Sequence, residues 1–95
     1  MGLEESRSAI REIDEKMAAL FVERMQVVRE VAAYKAAHDL PVADEMQEAR
    51  VREELCALVE DVELRPFYLS FLQATMDVSK DWQHYLRDES LTLHK

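Results

Sequence analysis

Residues 3–37 read LEESRSAIREIDEKMAALFVERMQVVREVAAYKAA. Ile10, Ile13, Met17, Leu20, Val27, Val31 and Tyr34 recur three and four residues apart, the spacing that lays apolar side chains along one face of an α-helix. The next member of that row should stand at position 24, which holds Arg24. Lys35 follows eleven residues later, a rotation of about 1100°, so it emerges within about 20° of the same face. An otherwise apolar seam carries two cations, and both are expected to point into the interior. Burying an arginine without a partner costs several kcal/mol, so acidic side chains or an anion should meet them.

The helix is expected to begin near Leu3, where Glu4 and Glu5 suit the positive end of its dipole, and to run to about Ala37. Leu40-Pro41 ends it, because the residue before proline avoids the helical region, and 38–43 form a loop. Asp44 caps a second helix over 45 to about 61, with Glu48, Val51, Leu55, Leu58 and Val62 on its seam. Pro66 opens a third over about 66–88, which turns Phe67, Phe71, Leu72, Thr75, Val78, Ser79, Trp82, Gln83 and Leu86 inward.

A 35-residue helix is about 52 Å long, whereas a compact 95-residue globule is roughly 32 Å across. Two shorter helices cannot cover its whole apolar stripe. The remainder should pack on the same stripe of a second copy, giving an intertwined homodimeric helical bundle in preference to a plain coiled coil. One glycine, two prolines and 48 % apolar residues in helical spacing make the fold class all-α in a single domain over 1–95. The formal net charge of −8 argues against nucleic acid and anionic membranes as partners. Cys56 is the lone cysteine, no apolar run reaches transmembrane length, and the first residues lack a secretory pattern, so the cytoplasm is expected. His38, His84 and His94 have no ligand spacing with Cys56, and no metal is expected.

The other helices repeat the anomaly of the first. Glu48 occupies an apolar seam one turn from Asp44, and Ser79 and Gln83 form an i,i+4 pair beside Trp82. Two accounts are open. The set could be an internal network in which Arg24 pairs with Glu48 and Lys35 with Asp44, or it could line a pocket for a ligand. Two cations, two carboxylates, a hydroxyl and an amide from three helices exceed what a core this small needs, which favours a compact anionic ligand. Arg24 and Lys35 lie about 16 Å apart along the axis and could hold such a molecule between their tips. Arg7 lies about 25 Å from Arg24, too far to share a ligand within one chain, but a dimer could bring it to the partner's site. Buried Glu48 could also be protonated in part and act as a donor.

The ordered set Arg7-x6-Asp14, Leu20-x2-Glu23-Arg24, Ala33-Tyr34-Lys35, Pro41-Val42-x-Asp44-x3-Glu48 and Ser79-x3-Gln83 resembles the all-α chorismate mutases along almost the whole chain. The resemblance implies a domain-swapped three-helix dimer that rearranges chorismate to prephenate for phenylalanine and tyrosine synthesis, without a cofactor. By position, it implies that Arg24 and Ser79 bind the substrate carboxylates, with Arg7 contributed by the partner chain. Lys35 and Gln83 would donate to the ether oxygen, and Asp44 and Glu48 would receive the ring hydroxyl. The departure is Gln47, where family members often carry arginine. Isochorismate-pyruvate lyases share the fold and the cationic pocket, but differ at the hydroxyl-binding carboxylates. A non-catalytic regulatory or interaction module is the reading from a different class.

Overall fold

A computed structural model describes residues 2–93, with side chains described through Asp88. Three helices follow in order: α1 (Leu3–Ala37), α2 (Glu45–Cys56) and α3 (Arg65–Leu93). α1 packs along α3 and α2 packs against the other side of α3, so α3 is the shared wall of the molecule. With extents of 57 × 28 × 15 Å and a radius of gyration of 16.9 Å, the chain is far more elongated than the roughly 12 Å expected of a compact chain this long.

Both ends of α1 stand where they were expected. The C-terminal end is a Schellman motif. Leu40 donates its backbone N–H to the carbonyl of Lys35 at 2.8 Å and Asp39 donates to that of Ala36 at 3.4 Å. Asp39 takes the left-handed conformation this closure needs, at φ 52°, which Asp tolerates better than most residues. The chain then turns through 38–43, and Asp44 caps α2 by accepting from the N–H of Gln47 at 3.1 Å.

α2 is shorter than its periodicity suggested, ending at Cys56 instead of about 61. Leu58 and Val62 continue the apolar spacing but find nothing to pack on, and they are 74 % and 65 % exposed. Arg65 takes the carbonyl of Val59 at 2.7 Å, and Asp61 accepts from the N–H of Glu63 at 3.0 Å, so local side chains satisfy the connecting turn. α3 extends past the expected 88 to Leu93.

The small core also differs from expectation. On α3 the buried ridge is Leu72, Met76, Ser79 and Gln83, facing Ala32 and Val42. Phe67, Phe71 and Val78, expected inward, are exposed, whereas Met76, not among the residues expected inward, is buried. The seam of α1 is likewise uncovered within one chain, with Ile10, Ile13, Leu20 and Val27 all more than half exposed. Trp82 ties α3 to α1 by donating Nε1–H to the carbonyl of Met25 at 3.2 Å, with the Arg29 guanidinium 5.1 Å above its ring.

Candidate functional site

Arg24 and Lys35 of α1, Asp44 and Glu48 at the start of α2, and Ser79 and Gln83 of α3 all line one cavity of about 190 Å³. Val28, Val31, Val42, Val51 and Met76 fill the walls between them. Larger hollows of about 620 and 610 Å³ lie along α1, but mainly small and apolar side chains line them, and one is the uncovered stripe itself. Polar chemistry converges on the smaller cavity.

Each helix delivers its groups by its own register. Arg24 and Lys35 share a face of α1, and the Schellman turn fixes the loop against Lys35, whose Nζ donates to the carbonyl of Val42 at 2.9 Å. The cap at Asp44 starts α2 so that Glu48, one turn on, faces α3. Ser79 accepts from Arg24 Nη1 while its own Oγ–H reaches the carbonyl of Thr75 at 2.9 Å. Gln83, 6 % exposed, holds its Oε1 buried without a hydrogen-bond partner among the described residues. Such an amide costs free energy unless something polar meets it.

The internal pairs weighed as the alternative, Arg24 with Glu48 and Lys35 with Asp44, do not form. Glu48 pairs with Lys80 at 2.9 Å, not with Arg24, and Lys35 goes to a backbone carbonyl, not to Asp44. The Lys80 contact is a part-buried salt bridge from α3 to α2. Hydrogen bonding to Glu48 outweighs desolvation and raises the Lys80 pKa above its ordinary 10.5. Arg24 is also less enclosed than expected: it remains exposed in the single chain, because the seam around it is uncovered. Arg7 stays outside the cavity and pairs with Glu4 at 2.9 Å in solvent. Gln47 lines the cavity, with its Oε1 3.5 Å from Arg50 Nη1.

Lys80 is the site residue that sequence reasoning missed. Between Asp77 and Asp81 it reads as an ordinary solvated helix charge, but it lies on α3 between Ser79 and Gln83, within a turn of both. Among the described residues, no group of three or more His, Cys, Asp or Glu side chains could hold a metal ion, and His94 lies outside them. Among the same residues, no helix is long and apolar enough to cross a membrane.

The fold and the cavity together define a class: a three-helix protein with a small polar pocket, rich in cations, at the junction of its helices. The family profile described as chorismate mutase type II matches residues 6–84, and the chain belongs to that family. A monofunctional chorismate mutase of Enterobacter agglomerans is 37 % identical over 71 residues, 74 % of this chain and 39 % of that protein. The chain thus spans about two fifths of the length of that relative. No solved structure matches.

Proposed function

We propose that the chain catalyses the [3,3] rearrangement of chorismate to prephenate, as a homodimer acting in the cytoplasm. The observation that carries this reading is the convergence of Arg24, Lys35, Glu48, Ser79 and Gln83 from three helices on one cavity. The reaction needs no nucleophile and no cofactor. It needs a flexible dianion held in a chair-like shape and donors aimed at the ether oxygen as its C–O bond breaks.

Arg24, already oriented by Ser79, is placed to grip a substrate carboxylate. Lys35 keeps one N–H on Val42, which fixes its head and leaves two for the ether oxygen. A half-turn of the Gln83 amide would present its NH2 to the same oxygen. Even the low end of enzymatic acceleration, about 10⁶-fold, asks for roughly 8 kcal/mol, and one well-aimed donor is worth about 3 to 4. Lys35 and Gln83 together approach that figure. Asp44 Oδ1 is engaged in its cap and Glu48 Oε1 by Lys80, so each carboxylate keeps one oxygen to receive the ring hydroxyl. Arg7 would reach the site from the partner chain, whose α1 would also cover the bare stripe of this one.

Purified protein supplied with chorismate, and separately with isochorismate, tests the reading. Loss of chorismate absorbance with prephenate as product is the expected result. Pyruvate release from isochorismate would reassign the site to lyase chemistry. No turnover, together with no binding of a bicyclic dicarboxylate transition-state analogue, would leave a non-catalytic module.

A further inference from the structure

The cavity must attract a dianion while presenting two carboxylates to it. Arg24 and Lys35 offset Asp44 and Glu48 one for one, so these four groups alone leave no net attraction. In a chain of net charge −8 the surroundings do not help. Gln47, on the same wall, brings no charge. Lys80 is the remaining cation of this lining, and it is not a solvated one. Its side chain is 27 % exposed, that of Glu48 is 17 %, and the two meet at 2.9 Å. Asp77, one turn back on its own helix and 55 % exposed, is the easy surface partner, yet lies farther away at 3.5 Å.

We propose that Lys80 is a positioning residue of this site: held on Glu48, it cancels that carboxylate's charge toward an incoming dianion and supplies from α3 the cation that α2 lacks at Gln47. The inference rests on the mutase reading. Glu48 offers Oε1 to Lys80, which leaves its other oxygen to receive a hydroxyl. Lys80 itself need not touch substrate, so its contribution belongs to binding and not to the bond-breaking step.

The test uses full-length protein, steady-state kinetics, and calorimetric titration with a bicyclic dicarboxylate analogue. Lys80→Met should raise KM and the analogue Kd about 10-fold while kcat stays within about threefold, the effect of one uncompensated charge at intermediate dielectric. Lys80→Gln is the alternative variant should the methionine protein fail to fold. Lys80→Arg should bind nearly as wild type. Adding Glu48→Gln to Lys80→Met should recover most of the affinity lost for an analogue without the ring hydroxyl, because the uncompensated carboxylate is then gone and the hydroxyl that Glu48 would receive plays no part. An unchanged KM and Kd in Lys80→Met would overturn the proposal, and so would a double variant no better than the single, which would mean that Lys80 acts other than through Glu48. Wild-type protein that neither turns over chorismate nor binds the analogue would sink the mutase reading itself, and the proposal with it, before any variant is compared.

Discussion

The two halves of α1 carry the same apolar spacing and have different fates. From Met25 onward the helix is tied to the rest of the chain: Trp82 bonds the Met25 carbonyl, Ala32 is buried, and Arg87 reaches the Leu40 carbonyl just beyond its end. Before Arg24 its ion pairs are with itself, Glu4 with Arg7 and Arg11 with Glu15, one turn apart and exposed. Ile10, Ile13 and Leu20 stand in that half more than 50 % exposed. Periodicity therefore specifies a helix without specifying what covers it. Arg24 marks the border between the half that the rest of the chain ties down and covers in part, where Ala32 is buried while Val27 and Tyr34 stay exposed, and the bare half.

The contrast is broken most directly on the bare side. Under the proposed dimer, Ile13→Asp removes about 2 kcal/mol of burial and adds the cost of desolvating a charge. Both copies carry the change, so association weakens by about 4 kcal/mol or more, near 10³-fold. Sedimentation should show monomers at concentrations where wild type is dimeric, with activity lost alongside. Unchanged association would mean that the bare half does not face a second copy.

Mixed dimers ask whether the two halves serve one site. Arg7→Ala and Arg24→Ala should each be nearly inactive alone. Refolding the two together makes about half the dimers mixed, each with one site holding both arginines and one holding neither. About a quarter of wild-type activity should return. A mixture shown by mass spectrometry to contain heterodimers, yet as inactive as its parents, would refute the shared site.

Within the covered half, Lys35→Ala should lower kcat at least about 10²-fold, because its ammonium acts chiefly on charge that develops at the ether oxygen. The bond from Lys35 to Val42 adds a second consequence. Its loss should cost about 1 kcal/mol of stability, visible as a Tm lower by a few degrees. A fall confined to KM would contradict the assignment.

How far the sequence could be read follows the same division. The end of α1 and the start of α2 were legible because a Leu40-Pro41 break and a capping Asp44 are local signals. The end of α2 was not: no glycine or proline marks it, and Arg65 reaching back to the carbonyl of Val59 closes the turn that follows. Asp61, the residue that shapes the following turn, was the available clue. On α3 the inward face was misjudged by about a third of a turn at Val78, because Thr75 and Val78 fit the helical period as well as Met76 does and only packing decides. Arg24, Lys35, Glu48, Ser79 and Gln83, which line the cavity, were visible as polar breaks in apolar rows, and Asp44 as a helix cap. Lys80 was not, since a lysine flanked by aspartates looks solvated until a glutamate from another helix is seen against it.

The smallest expected effect probes whether the cavity beside the covered half of α1 lacks charge at Gln47 of α2. Gln47 lines the cavity, and its amide oxygen lies 3.5 Å from Arg50, so the position faces both the ligand space and a neighbouring cation. Gln47→Arg would lose that contact, a weak exposed one, and add a positive charge near the dianion. At an effective dielectric near 20 the added charge is worth about 1 kcal/mol at pocket distances, so KM should drop roughly fivefold with kcat nearly unchanged. Crowding against Arg50 works the other way, and the gain should therefore grow when Arg50 is replaced by Ala. If Lys80 already supplies the missing cation, the gain from Gln47→Arg should also be larger in a Lys80→Met background than in wild type, because a site short of positive charge responds more to its return. Equal gains in the two backgrounds would mean that positions 47 and 80 act on the ligand independently, and that the lysine on α3 is no substitute for an arginine on α2.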